Sequence, residues 1–140
     1  MKMERSFDAR CSFDDALEKL GSEETLLSLF PGRSEIVDRS GDRITTRTHY
    51  TALGREGTAT FHIDYMMDGG LRFEKVCDGN VWKKLEGAVE IEDMGESCRI
   101  VLLLEGATKA LVPEFTIKSP MEDQIGEMAE ALEARLGGAS

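Results

Sequence analysis

A chain of 140 residues, 41% of them hydrophobic, has material for one domain with an ordinary core and no low-complexity tract. Its formal charge of −10 comes from 27 acidic and 17 basic residues spread along the chain, with no basic patch or Arg-rich arm, which argues against nucleic acid and anionic membrane surfaces as partners. The longest apolar run, Ile100 to Leu104, falls far short of the ~20 residues that cross a bilayer, and Met1 to Arg5 leads into alternating sequence without the apolar core of a signal peptide.

Met3 to Cys11 alternates, with Met3, Phe7, Ala9 and Cys11 on one face of a strand. Ser12 then reads as the cap of a short helix, with Asp15 at its third position, Phe13, Ala16, Leu17 and Leu20 on its apolar side and Gly21 as its stop. Ser22-Glu23-Glu24 opens a second short helix whose acids suit the positive end of the helix dipole. It buries Leu26, Leu27, Leu29 and Phe30 and ends at Pro31-Gly32.

Strands separated by turn signals follow: Arg33 to Arg39, Ile44 to Leu53, Thr58 to Met66, Leu71 to Cys77, Val81 to Asp93 and Ser97 to Glu105. Ser40-Gly41-Asp42, Gly54-Arg55-Glu56-Gly57, Met67-Asp68-Gly69, Asp78-Gly79-Asn80 and Met94-Gly95 separate them. Connections this short predict an antiparallel meander. Pairing Leu53 with Thr58 sets Arg47 opposite Asp64, Tyr50 opposite Phe61, Thr48 opposite Ile63 and His49 opposite His62. Pairing Asp93 with Glu96 sets Glu90 opposite Arg99, and Ile91, Val89 and Leu85 opposite Cys98, Ile100 and Leu104. Both registers place apolar residues on one face and charges on the other.

Ser119-Pro120-Met121-Glu122 predicts a helix start, with Ser119 as cap and Pro120 at the first helical position. Met121, Ile125, Met128, Leu132 and Leu136 form one apolar stripe, and Gly137-Gly138 ends the helix. A single long helix needs a surface to lie on, and the concave face of the sheet is the candidate. The predicted fold is therefore α+β: a curved antiparallel sheet of six to seven strands around a long C-terminal helix, with two short helices after the first strand. A cavity between sheet and helix is a natural product of that arrangement.

This order resembles the helix-grip fold of the START and birch-pollen-allergen-like superfamily (SRPBCC), in its bacterial polyketide cyclase and dehydrase-like branch. Leu29-Phe30-Pro31-Gly32 looks like that family's exit from the second short helix. Leu85-Glu86-Gly87-Ala88-Val89-Glu90-Ile91, a Gly turn and Arg99-Ile100-Val101-Leu102 look like its penultimate hairpin, with Glu96-Ser97 where many relatives have Gly-Thr. The helix from Pro120 looks like its closing helix. The resemblance covers nearly the whole chain and implies a pocket for an apolar or aromatic ligand. Fold alone does not choose among lipid, sterol and polyketide binders, cyclases and assembly factors.

The expected ligand-binding residues are Phe7, Tyr50, Phe61, Tyr65, Phe73 and Lys75 from the sheet, with Leu102. Met121, Ile125, Met128 and Leu132 form the helix wall, where methionines adapt to varied shapes. Lys75 shares parity with Leu71 and Phe73, Lys83 with Val81 and Leu85, and Arg5 with Met3 and Phe7. An inward cation in an apolar pocket suits a carboxylate or phenolate, unless a bulge flips the parity or the stem snorkels to solvent. Trp82 fits either a pocket rim or the outer edge of the core. Leu111, Val112 and Phe115 form either a lid or a packed connection. His49 and His62 fall on the outer face, where solvation is the ordinary reading.

Cys11, Cys77 and Cys98 make neither a CxxC pair nor a disulfide framework and read as reduced thiols in a cytoplasmic protein. Gly-x-Ser-x-Gly, a phosphate-binding Gly loop and metal-ligand spacings are missing from the sequence, so no cofactor or metal is expected. The leading expectation is a small hydrophobic or amphipathic ligand. A cyclase-like or dehydratase-like enzyme using inward tyrosines is the first alternative. An assembly module with a protein partner or a homodimer is the second.

Overall fold

The computed structural model describes residues 1–30, 32–52, 54–79 and 81–137, with backbone alone at Ala52. Its elements run β1 (Lys2–Ala9), α1 (Phe13–Leu20), α2 (Glu23–Ser28), β2 (Arg33–Ser40), β3 (Arg43–Ala52), β4 (Arg55–Tyr65), β5 (Leu71–Lys75), β6 (Trp82–Asp93), β7 (Cys98–Thr108), a 3-10 turn (Glu114–Ile117) and α3 (Lys118–Leu136). The expected stops at Pro31 and Gly138, the Asn80 end of one turn and the Leu53 half of one pairing lie outside the described residues.

Seven strands form one curved antiparallel sheet in the order β1-β7-β6-β5-β4-β3-β2. From β2 to β7 it is the expected meander. The first strand closes onto the last, with Met3 opposite Leu104 and Phe7 opposite Ile100. β1 and β2 therefore stand at opposite edges, and α1 and α2 carry the chain between them. Both short helices start on serine caps: the Asp15 N–H donates to Ser12 Oγ at 3.2 Å, and the Thr25 N–H to Ser22 Oγ at 3.3 Å.

Three local expectations are corrected. α3 begins at Lys118 behind Ile117 rather than at a Ser119 cap, and no side chain caps it. The 3-10 turn feeds straight into it, and Pro120 fits inside the first turn because N–H groups there have no intrahelical acceptor. In the β3–β4 hairpin Arg43, not Arg47, lies opposite Asp64, and Thr46 and Ile44 face Phe61 and Ile63. His62 pairs with Thr45 and His49 with Thr58, so the two histidines are not neighbours. In the β6–β7 hairpin Asp93 pairs with Cys98 and Glu92 with Arg99, while Val89 meets Leu102 and Leu85 meets Gly106. Each slip spans an even number of residues, so side chains keep their predicted faces except at the irregularity between Trp82 and Lys84.

The core lies between the sheet and the helices. α3 buries Met121, Ile125, Met128, Ala129, Leu132 and Leu136, the predicted stripe with one alanine added. It packs on β1 and β7, against Leu102, Leu104 and Ile100, all within 1% of full burial. Gly137 ends it with φ +74°, a left-handed conformation that glycine adopts without a Cβ penalty.

Candidate functional site

Because α3 sits over one side of the sheet, the inner faces of β3, β4 and β5 need another cover. Phe30, in the segment that leaves α2, supplies it in the middle. Phe30 stacks on Phe61 with ring centres 3.8 Å apart and planes 5° from parallel, and meets Phe73 edge-on at 5.2 Å. Beyond this plug, toward the β3–β4 hairpin, the face is uncovered. A cavity of about 330 Å³ remains there between the sheet and the first turns of α3. Phe30, Phe61 and Leu85 form its inner wall, Tyr50, Lys75 and Trp82 its sheet wall, and Pro120, Asp123 and Glu127 its helix wall. It continues past Ala59 into an outer vestibule of about 640 Å³ bounded by Val76, Val81 and Val112. The volume falls in the ordinary range for small-molecule sites, as does the mix of aromatic walls with a few polar groups.

Local sequence explains how the wall is built. A bulge between Trp82 and Lys84 turns Trp82 to the inner face and leaves Lys83 exposed, so the parity that made Lys83 an inward cation is broken. Trp82 and Met121 crowd the α-carbon of Gly106, where a Cβ would lie within 2.9 Å of the indole and 2.8 Å of the Met121 sulfur. Tyr50 lies across Gly57, its cross-strand partner, a side-chain-free site that lets the ring lie flat on the sheet. The ring is 39% exposed and stands at the mouth.

Lys75 is the cation of this wall. Its Nζ lies 5.6 Å from the centre of the Trp82 ring, within cation–π range, and among the described residues it has no carboxylate partner within ion-pair distance. The Tyr50 hydroxyl makes no hydrogen bond among the described residues, whereas Thr48 shares one with Ser34 at 2.7 Å. The neighbouring Thr46 hydroxyl is fully buried with no partner among the described residues.

Of the residues expected to line a hollow, Tyr50, Phe61 and Lys75 line this one. Leu102, Met121, Met128 and Leu132 are buried in the core, as are Phe73 and, nearly so, Ile125. Phe7 packs half-buried against that core. Tyr65 lies at the other end of the sheet, where its hydroxyl donates to the Leu20 carbonyl at 3.4 Å and burial raises its pKa. Arg5 faces α3 and lays its guanidinium over Gly126. Phe30, Ala59 and Asp123 belong to the wall without having been expected there. Phe30 was legible as a buried residue, but nothing in its spacing told which strand it would meet.

Leu111 and Phe115 neither close the mouth nor pack beneath it: they are 103% and 76% exposed, and Leu111 holds a left-handed φ of +71°. Val112 alone of that segment's expected trio reaches the vestibule. The outer face carries ordinary charge pairs. Arg43 grips Asp64 with two bonds of 3.0 Å and reaches Glu74 at 3.3 Å. His49 bonds Glu35 at 3.1 Å, which lowers the Glu35 pKa, and His62 bonds Thr45 at 2.8 Å. Among the described residues no three His, Cys, Asp or Glu side chains are grouped to hold a metal, and no helix is long and apolar enough to cross a membrane.

No family model matches this sequence, and no curated protein matches it. Solved structures match its fold closely. The Zhui aromatase/cyclase from Streptomyces sp. R1128 superposes with TM-score 0.77 at 16% identity, covering 98% of this chain and 92% of that one. A START superfamily protein from Mycobacterium smegmatis gives 0.75 at 18% identity, with 97% of each chain covered. The protein named Ara h 8.0201 gives 0.75 at 13% identity, also with 97% of each covered. The chain thus has the helix-grip fold that the order of its elements predicts.

Proposed function

We propose that this protein binds a small hydrophobic or amphipathic molecule, of lipid, sterol or aromatic polyketide type, in the cavity between the sheet and the first half of α3. One observation carries the reading. Past the buried core and the Phe30–Phe61 stack, the space between sheet and helix opens into an aromatic-walled hollow of about 330 Å³. A fold that needed only stability gains nothing from leaving apolar walls uncovered. The likeness to a protein named an aromatase/cyclase fits the same class of ligand.

A thermal-shift panel of fatty acids, sterols and polycyclic aromatics tests it. A ligand at a hundredfold excess over its Kd stabilises by about 2.7 kcal/mol, a shift of several degrees. Native mass spectrometry of freshly purified protein provides a second readout through a co-purifying mass. A panel without any shift, together with a bare protein mass, counts against the reading.

The Tyr50 hydroxyl favours a second reading, a cyclase-like or dehydratase-like enzyme in the same cavity. It stands at the mouth beside Lys75 with its proton uncommitted to any described residue. Under this reading Tyr50→Phe abolishes turnover of a bound polyketide and leaves its binding intact. Equal turnover by the variant removes Tyr50 from the chemistry.

A further inference from the structure

The cavity wall carries charge in an uneven way. Among the described residues Lys75 is the one cation lining it, and it lies on the sheet side, where Trp82 holds its ammonium group. Asp123 and Glu127 stand across from it on α3, one helical turn apart and both exposed. No ion pair joins them to Lys75. An ammonium in a chain of net charge −10 has many carboxylates available on the surface, yet this one is spent on an aromatic ring inside a cavity.

We infer that the ligand is an aromatic or polyene acid whose carboxylate, sulfonate or phenolate meets Lys75, with its apolar body laid between Trp82, Tyr50 and Phe61. This inference rests on the binding reading above and narrows its ligand class. The two walls cooperate in orientation. Lys75 attracts the anionic end toward β5, while Asp123 and Glu127 repel it from the helix. An ion pair in a partly dehydrated cavity is stronger than one on the surface. The planar side chains of Trp82, Tyr50 and Phe61 favour flat, unsaturated ligand bodies through offset stacking.

Two fluorescent probes with the same ring system separate the charge from the rings. Anilinonaphthalene sulfonate carries an anionic group, and phenylnaphthylamine is its neutral counterpart. The wild-type protein is expected to prefer the sulfonate, and Lys75→Met to weaken sulfonate binding by about tenfold or more while leaving the neutral probe unchanged. Lys75→Arg keeps the charge and the preference. A Lys75 that merely props Trp82 alters both probes together. Sulfonate binding that survives Lys75→Met undiminished, or a wild-type protein that prefers the neutral probe, overturns the inference while leaving the cavity reading in place. Saturable binding of neither probe by the wild type, with folding verified by circular dichroism, overturns both.

Discussion

Phe30 and Phe61 come from elements that are distant in sequence, and they stack 3.8 Å apart and nearly parallel. That contact fixes the segment leaving α2 to the sheet and sets the inner boundary of the cavity. Phe30→Ala removes a ring that is 2% exposed, so the expected loss is about 3–5 kcal/mol, with an enlarged cavity left behind. Urea unfolding measures it. A loss below about 1 kcal/mol means that neighbours collapse into the space and that the stack is not the boundary described.

Gly126 is an interior helical residue whose missing Cβ leaves room only for the Arg5 guanidinium, with Nη1 2.8 Å from where that Cβ would be. The end of an arginine moves easily, and glycine inside a helix costs about 0.5–1 kcal/mol relative to alanine. Gly126→Ala is therefore expected to stabilise by up to about that amount, read as a raised thermal midpoint. A lowered midpoint means that Arg5 is held in place by the helix rather than resting on it.

Cys11 and Cys98 face each other with sulfurs 3.9 Å apart. Burial, together with the Cys11 contact, pushes the Cys98 thiol up to about 11 from its ordinary 9.0. The folded state thus holds this proton to higher pH than the unfolded chain does. The sign follows: the stability contribution is whole below about pH 9 and is lost as pH rises toward 11, with the raised Tyr65 hydroxyl acting in the same direction. Unfolding free energies at about pH 8 and about pH 10.5 are expected to fall more in the wild type than in Cys98→Ala. Equal losses exclude Cys98 as a source. At neutral pH the half-buried Cys77 is expected to alkylate well before Cys98.

The order of elements, the Ser12 cap and the face of almost every strand residue were legible, because period-two and helical spacing report burial directly. Register was not. Gly54 and Gly57 both offer a turn, and the hairpin uses the nearer one, with Gly54 at φ +74° and Ala52 opposite Arg55. The β6–β7 turn takes a longer loop, in which Asp93 accepts from the Gly95 N–H at 2.9 Å. The cavity was legible as a consequence of the fold but not in its position. Which part of the sheet α3 covers depends on β1 pairing with β7, a contact between chain ends that no local pattern records. The methionines of α3 therefore read as a pocket wall, whereas Met121 and Met128 are buried away from the open cavity. The inward parity expected of Lys83 is broken by a bulge that no glycine or proline announces.

The most direct measurement uses Trp82, the single tryptophan, as a reporter inside the cavity it lines. Phenylnaphthylamine is titrated into wild type and into Ala59→Phe, a substitution that fills the space between β4 and the first turns of α3. The expected result is saturable energy transfer from Trp82 to the probe in the wild type, lost or weakened at least about tenfold in the filled variant, with both proteins folded. Absence of transfer in the wild type, or identical curves for the two proteins, contradicts a ligand site between this sheet and its helix.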